Sequence, residues 1–363
     1  MEKIATLFLI LSLLLSWLPG AASNRLNDLT DKSPVEPAQG TVIPGAARFI
    51  RLGDGTQVVA CGAAEGIRTR VSVDGGETWQ YEQIAVPNDG RSLANYWFCE
   101  SGGALYLAYR AIGDTPDGYY TSLRVHVSGD GGRSWRFHSI ITENLEPAHN
   151  FNGVWEPCLG EMNGKLVCFY ANDGTAVTDR QNIESLTWDG NEWTDRTVVS
   201  DGQKHDSRDG MPVWTALSDG GYVCVIESTK YRDAGYPFVI QMLYSKDGVR
   251  WSEPKDIYIP AEKNSKAAAP GVCELPDGRL AVTFQTDEDK AEKGDAGSVS
   301  KLICTVRKIP GPLLGRCSFT TPKKLFPEEY DGCSLWGAVG CFDGALYYGA
   351  YTPLGETLVR IPV

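Results

Sequence analysis

A tight turn followed by a short apolar segment recurs six times along the chain, at intervals of 48 to 66 residues. The turn dipeptides are Asp-Gly, Asn-Gly or Gly-Gly, which supply the positive φ angles that two-residue hairpins need. They lie at residues 54–55, 102–103, 163–164, 219–220, 277–278 and 343–344. An interval of this length accommodates one four-stranded antiparallel sheet with its loops. The repeat therefore predicts six such sheets.

A second motif lies between these turns and keeps the same phase. Residues 72–79 and 128–135 follow the pattern Ser-X-Asp-Gly-Gly-X-Thr/Ser-Trp, and residues 187–193 and 245–251 are copies one residue shorter. The pattern resembles the Asp-box of sialidase-like propellers, in which an Asp side chain caps N–H groups of the turn. We therefore expect an all-β, six-bladed β-propeller of the sialidase type. A strand around Val35 to Ile43 should complete the sixth four-stranded blade and close the ring.

The N-terminus has the pattern of a secretory signal peptide. An apolar run of residues 4–18 follows Lys3, and small residues lie at 20–23. The run is shorter than the roughly 20 residues that span a bilayer. We predict a signal peptide over residues 1–23 and a single propeller domain over 24–363. The mature chain is expected to be secreted and extracellular, with no membrane segment after cleavage.

Charge and cysteine content limit the classes of function. The formal net charge of −12 disfavours nucleic acid as a partner, because phosphate binding requires a basic face. Ten cysteines permit up to five disulfides in an oxidising compartment, with Cys304 and Cys317 as a candidate pair. Burial of free thiols is the alternative. The cysteines and histidines show no metal-binding spacing, so we predict no metal and no cofactor.

Strand order predicts which end of the ring carries the site. The starts of the first strands and the ends of the second strands lie opposite the glycine-rich turns, where the loops are longer and more varied. Carboxylates, arginines and aromatics reach that end, as is typical of a sugar-binding site. The candidate site residues are Arg48, Arg110, Asn152, Trp155, Glu156, Arg208, Asp209, Glu227, Tyr330 and Trp336.

Glu156 and Glu227 come from adjacent blades and should point into one cavity. Two carboxylates flanking a glycosidic bond are the usual apparatus of glycoside hydrolysis. The alternative is that both are ordinary polar residues at strand ends. The apolar run before Glu227 favours this residue as proton donor and Glu156 as nucleophile, although the residues alone leave the reverse assignment open.

Two segments resemble glycoside hydrolase family 93, the exo-α-1,5-L-arabinanases. They are Trp155-Glu156-Pro157 with a following Asn-Gly turn, and residues 208–213 leading to Ile226-Glu227. The resemblance implies a six-bladed propeller that releases arabinobiose from linear α-1,5-arabinan with retention, using Glu156 and Glu227. It implies a polysaccharide or oligosaccharide substrate. Tyr330 lies near the position of the sialidase tyrosine nucleophile and is expected to orient a glutamate or a sugar hydroxyl.

Two other functions are compatible with a propeller. A sialidase needs three arginines converging on a carboxylate, and the first strands of blades 5 and 6 begin without one. A non-catalytic carbohydrate-binding module needs no pair of acids at hydrolytic distance. We therefore expect a secreted, monomeric exo-acting arabinanase, with sialidase or another exo-glycosidase and a binding module as alternatives.

Overall fold

A computed structural model of the chain describes residues 33–43, 45–115, 118–148, 153–174, 179–327, 330 and 333–363. The predicted signal peptide, residues 1–23, and the candidate residue Asn152 lie outside the described residues. In the described part, no helix is both long and apolar enough to cross a membrane.

The described residues form six four-stranded antiparallel sheets, as predicted. Blade 1 consists of β2 (Arg48–Arg51), β3 (Gln57–Ala63), β4 (Gly66–Ser72) and β5 (Gln80–Pro87). Blade 2 consists of β6 (Ser92–Ser101), β7 (Ala104–Thr115), β8 (Gly118–Ser128) and β9 (Arg136–Ala148). Blade 3 consists of β10 (Val154–Met162), β11 (Lys165–Asn172), β12 (Asn182–Trp188) and β13 (Trp193–Ser200).

The other three blades have the same plan. Blade 4 consists of β14 (Asp209–Ala216), β15 (Tyr222–Ser228), β16 (Val239–Ser245) and β17 (Lys255–Tyr258). Blade 5 consists of β18 (Ala267–Glu274), β19 (Leu280–Thr286), β20 (Val299–Cys304) and β21 (Lys323–Lys324). Blade 6 consists of β22 (Leu335–Phe342), β23 (Ala345–Thr352), β24 (Gly355–Pro362) and β1 (Thr41–Ile43). The short helices are α1 (Gly202–His205) and 3-10 turns at Pro37–Gln39, Arg232–Ala234 and Gly311–Arg316.

The N-terminal strand closes the ring. Strand β1 pairs antiparallel with β24, with Thr41 opposite Arg360 and Ile43 opposite Leu358. It is shorter than predicted, since a 3-10 turn precedes it. The innermost strands contact one another in chain order, and β22 contacts β2. Blades 1 to 6 therefore surround one axis, and blade 3 faces blade 6 across it.

Both sequence motifs occupy their predicted positions. The Asp-Gly-type turns join the first and second strands of each blade, and the Asp-boxes join the third and fourth strands of blades 1 to 4. In the first box, Asp74 Oδ1 accepts the Thr78 N–H at 2.9 Å and the Ser72 hydroxyl at 2.7 Å. These bonds fix the turn locally, which explains why its sequence is recognisable without tertiary information.

Apolar side chains fill the space between neighbouring blades. Phe169 of blade 3 is fully buried and stacks on Trp214 of blade 4, with ring centroids 5.3 Å apart. Trp251, from the Asp-box of blade 4, meets the same ring edge-on at 5.4 Å. The box tryptophan therefore packs against the preceding blade and stabilises the blade-to-blade contact.

The cysteines act as buried apolar residues and form no crosslinks. All ten, including Cys304 and Cys317, are free thiols. Seven are buried, and desolvation raises the pKa of the Cys158 and Cys317 thiols to about 12. The candidate Cys304–Cys317 disulfide is therefore wrong. The alternative from the sequence, burial of these thiols among apolar neighbours, is what the structure contains.

Candidate active site

Five of the six innermost strands carry a β-bulge at the same position. The strand register shifts there, and the bulged residue adopts a left-handed backbone conformation, with φ between 48° and 55°. These residues are Asn95, Glu156, Met211, Ala269 and Trp336. None is a glycine, so each conformation is strained and must be held by its surroundings. Bulges of this kind redirect side chains. The five bulges lie on the innermost strands and therefore surround the axis.

The bulges border a central cavity of about 400 Å³. Its lining comes from blades 1, 2, 3, 4 and 6, and includes four of the bulged residues. The polar and aromatic members are Arg48, Asn95, Tyr96, Arg110, Glu156, Trp336 and Tyr351. Of the predicted site residues, the structure therefore brings Arg48, Arg110, Glu156 and Trp336 together around one cavity.

The Glu156 carboxylate is fixed by the neighbouring blade. Its Oε2 accepts the backbone N–H of Met211, the bulged residue of blade 4, at 2.8 Å. In blades 4 and 5, a second-strand side chain accepts the bulge N–H of the next blade. Glu227 accepts from Ala269, and Gln285 accepts from Trp336. The residue at that position in blade 3 is Ala171, which is too short, so Glu156 takes the N–H of Met211 instead.

Glu227 is the more deeply buried of the two glutamates, with only 5% of its surface exposed. Its Oε2 accepts the Ala269 N–H at 2.9 Å, and its Oε1 lies 3.7 Å from a guanidinium nitrogen of Arg208. Burial, and next the negative charge of Glu156, raise the pKa of Glu227 to about 7, against the opposing effects of the Ala269 N–H, Arg208 and Lys266. A carboxyl group with this pKa can carry a proton at neutral pH.

The two carboxylates converge on consecutive residues of β14. Glu156 bonds to the N–H of Met211, and Glu227 pairs in register with Gly210. A Cβ at Gly210 would lie 3.2 Å from Glu227 Oε1, so the absence of a side chain there leaves room for this carboxylate. Consecutive Cα atoms are only about 3.8 Å apart, so both acids lie at the same end of the ring.

A third carboxylate, Asp173, belongs to this group and was missed from the sequence. Its Oδ2 accepts the indole N–H of Trp155 at 2.5 Å. The guanidinium of Arg110 lies over the same indole, 5.0 Å from the ring centroid. Burial raises the pKa of Asp173 to about 6, although the Trp155 bond opposes the shift. Asp173 thus positions Trp155, the residue immediately before Glu156.

The opposite wall of the cavity is built from blades 6, 1 and 2. Arg48 donates to the backbone carbonyl of Trp336, and its guanidinium lies 5.6 Å from the centroid of the Trp97 ring. The hydroxyls of Tyr96 and Tyr351 are 3.2 Å apart. This wall therefore offers hydroxyl groups and the half-exposed face of Trp336 to a ligand.

Five predicted site residues are not among those that line the central cavity: Trp155, Arg208, Glu227, Asp209 and Tyr330. Asp209 is almost fully buried, and its carboxylate accepts three serine hydroxyls at 2.6 to 2.8 Å, from Ser200, Ser207 and Ser228. It anchors the start of β14 and is not among the cavity-lining residues. Tyr330 packs against Phe326 at 5.9 Å, beside the core between blades 5 and 6, and is also absent from the lining. The tyrosines that line the cavity are Tyr96 and Tyr351.

Two missed residues occupy the same kind of position as Glu227, the end of the second strand of a blade. Asp173 and Tyr351 lie at or just after the ends of second strands, in blades 3 and 6, as Glu227 does in blade 4. Examining this position in every blade would have identified both. Among the described residues, no three His, Cys, Asp or Glu side chains are placed to hold a metal ion.

The fold and this arrangement define a class of protein: a sialidase-type six-bladed β-propeller in which two carboxylates, those of Glu156 and Glu227, lie against consecutive residues of one innermost strand. No family model and no curated protein matches the sequence. Solved structures do match in fold. The GH93 α-L-arabinofuranosidase of Fusarium graminearum, in complex with arabinobiose, has a TM-score of 0.64 at 18% identity over 92% of this chain and 96% of that chain.

Two further structures show the same fold. The Penicillium chrysogenum α-L-arabinanase, complexed with arabinobiose, has a TM-score of 0.63 at 18% identity, covering 92% of this chain and 95% of that chain. The NanB sialidase from Streptococcus pneumoniae has a TM-score of 0.57 at 12% identity, covering 92% of this chain and 70% of that chain. At these identities the likeness establishes the fold, and the function must be argued from the site.

Proposed function

We propose that this chain is a glycoside hydrolase whose catalytic residues are Glu156 and Glu227. The observation that carries the proposal is that the two carboxylates lie against consecutive residues of one strand, Met211 and Gly210, and that Glu156 and Met211 line the central cavity. The different environments of the two acids support different roles. Glu227 is buried and has its pKa raised to about 7, which suits a proton donor. Glu156 lines the cavity, which suits a nucleophile.

The proposed reaction has two steps. In the first, Glu227 protonates the leaving oxygen while Glu156 attacks the anomeric carbon and forms a glycosyl-enzyme ester. Glu156 Oε2 is engaged by the Met211 N–H, so we assign the attack to Oε1. In the second, Glu227 takes a proton from water while the water oxygen attacks the anomeric carbon and displaces the Glu156 carboxylate, which releases the sugar with retained configuration. This mechanism requires the two carboxyl groups to be about 5–5.5 Å apart.

The substrate we propose is linear α-1,5-arabinan, cleaved from the non-reducing end to give arabinobiose. The arabinobiose complexes of two proteins that share the fold support this choice. A cavity of about 400 Å³ is near the lower end of the usual range for ligand sites, about 300–1,000 Å³, which suits a short oligosaccharide. The lining contains two arginines, Arg48 and Arg110, whereas a sialidase needs three converging on a carboxylate, which disfavours a sialidase.

A product assay tests this function. Linear arabinan, debranched arabinan and a sialoside are each incubated with the protein, and the products are identified by size. We expect arabinobiose from both arabinans, with the α-anomer formed first, and no release from the sialoside. Release of sialic acid, or the first appearance of the β-anomer, would contradict the proposed substrate or mechanism respectively.

We also propose that the protein acts outside the cell, since a polymeric substrate cannot cross a membrane. The predicted signal peptide over residues 1–23 is the basis of this proposal. Mass spectrometry of the protein recovered from the growth medium should give a mature N-terminus near residue 24. Recovery of the activity only from cell lysate, with residues 1–23 intact, would contradict it.

A further inference from the structure

A second cavity, of about 470 Å³, lies over blade 4 on the same end of the ring. We call it the blade-4 cavity. It is lined by residues of the loops at this end of blade 4 and by one residue of a blade-3 loop, Asp179; the blade-4 residues include Arg208, Thr229, Arg232 and Phe238, and Asn264 comes from the segment that leads into blade 5. It shares none of its lining with the central cavity.

Arg208 links the blade-4 cavity to Glu227. Its backbone is fixed by Thr229, whose Oγ1 accepts the Arg208 N–H at 2.7 Å and whose N–H donates to the Arg208 carbonyl at 3.2 Å. Arg208 lines the blade-4 cavity, and its guanidinium lies 3.7 Å from Glu227 Oε1. The same carboxylate oxygen lies beside Gly210, whose chain neighbour Met211 lines the central cavity. Glu227 is therefore next to a lining residue of the blade-4 cavity and one residue away from a lining residue of the central cavity.

The rim of the blade-4 cavity is held by specific contacts. Arg232 forms an ion pair with Asp179, which joins a turn of blade 4 to a loop of blade 3. The Gly235 carbonyl accepts the Asn264 N–H at 2.7 Å, which joins the same turn to the segment that leads into blade 5. The cavity is thus bounded by three segments that are bonded to one another.

The chemistry of the lining suits a neutral saccharide. The guanidinium of Arg232 and the amide of Asn264 can bond to hydroxyls, and the half-buried ring of Phe238 can cover an apolar sugar face. Arg232 is paired with Asp179, and Arg208 lies near two acids, Glu227 and Asp173. The cavity therefore has no unbalanced positive charge that would select an anion.

We propose that the blade-4 cavity binds the leaving-group part of the polysaccharide, on the reducing-end side of the cleaved bond. This inference rests on the proposed function. A general acid protonates the leaving oxygen, so the leaving group must lie beside Glu227. Arg208 of the blade-4 cavity lies 3.7 Å from Glu227, and the central cavity, which Glu156 lines, then holds the sugars that are released.

Two substrates with the same donor sugars and different leaving groups test the proposal. The leaving group of arabinohexaose is a saccharide, whereas that of the 4-nitrophenyl glycoside of arabinobiose is 4-nitrophenol. The variants are Arg232→Ala and Asn264→Ala. The matched control is Arg250→Ala, because Arg250 is in the same blade, has a 90% exposed side chain and lies on the Asp-box turn at the opposite end.

We expect the kcat/KM of each cavity variant for arabinohexaose to fall by about tenfold, mainly through KM, as for loss of a hydrogen bond to a sugar. Their kcat/KM for the nitrophenyl glycoside should change by less than about twofold. The control variant, Arg250→Ala, should have the wild-type kcat/KM for both substrates. An equal loss on both substrates, or no loss on either, would overturn the leaving-group assignment. A wild-type chain that is inert on both would instead overturn the proposed function on which it rests.

Discussion

Glu156 and Glu227 hold their carboxylates against two consecutive residues of β14, Met211 and Gly210. The acids come from different blades, so the closed ring is what brings them together. Their positions differ in one decisive way. Glu156 is a bulged residue of an innermost strand, whereas Glu227 ends a second strand and is buried behind it. Burial is what raises the pKa of the Glu227 carboxyl.

The raised pKa of Glu227 predicts how stability depends on pH. Folding favours the protonated carboxyl, so its contribution is fully present below the usual carboxyl pKa and is lost as the pH rises through about 7. A shift of this size corresponds to about 3 kcal/mol. We expect Glu227→Gln to gain stability relative to the wild type between pH 4.5 and 8, measured by urea unfolding.

The control for this measurement is Glu192→Gln, because Glu192 is exposed in the Asp-box turn of blade 3. Its stability difference from the wild type should be the same at both pH values. A difference for Glu227→Gln that is also flat with pH would show that folding does not raise the pKa of the Glu227 carboxyl.

The Asp173–Trp155 hydrogen bond predicts a positioning role. Asp173→Ala leaves the Trp155 N–H without its acceptor, and an unsatisfied buried donor costs about 1–3 kcal/mol. We expect kcat/KM on arabinan to fall about tenfold. Asp173→Asn keeps an acceptor oxygen and should retain more of the activity. Equal losses in the two variants would indicate that the charge of Asp173, and not its bond to Trp155, is what matters.

The contact between blades 3 and 4 predicts a large stability effect at Phe169. This ring is fully buried between Trp214 and Trp251, so Phe169→Ala should reduce the free energy of unfolding by about 3–5 kcal/mol. Phe137 is 49% exposed, and Phe137→Ala should cost less than about 1 kcal/mol. Similar costs for the two variants in chemical denaturation would contradict the packing described for this interface.

The free thiols predict a clear labelling pattern. Alkylation in denaturant without reductant should modify all ten cysteines. In the native protein, only the partly exposed Cys61, Cys333 and Cys341 should react readily, since burial removes the others from the reagent. Mass spectrometry gives both counts. Fewer than ten labels in denaturant, restored by reductant, would reveal a disulfide.

The fold could be predicted because its signals are local. The hairpin glycines and the Asp-box carboxylates satisfy their own turns, as Asp74 does, so their sequence pattern does not depend on the rest of the chain. Their common phase gave the number of blades, and strand order gave the functional end. Glu156 and Glu227 followed from these two inferences.

What the sequence could not predict depends on tertiary partners. Asp209 is buried because hydroxyls of Ser200, Ser207 and Ser228 surround it, and two of these, Ser200 and Ser228, belong to other strands that the segment around Asp209 does not identify. The left-handed bulge at Glu156 is equally hidden, because its φ of 55° is set by pairing within blade 3. Tyr330 was placed by analogy with sialidases, and the structure packs it on Phe326 instead.

Turnover of two single variants tests the central claim most directly. Glu156→Gln and Glu227→Gln change only the charge and proton-carrying ability of each side chain, and Glu192→Gln is the exposed control. Assayed on linear arabinan, each active-site variant should lose at least about 100-fold in kcat with unchanged circular dichroism, while the control matches the wild type. Wild-type turnover in either Glu156→Gln or Glu227→Gln would contradict the account.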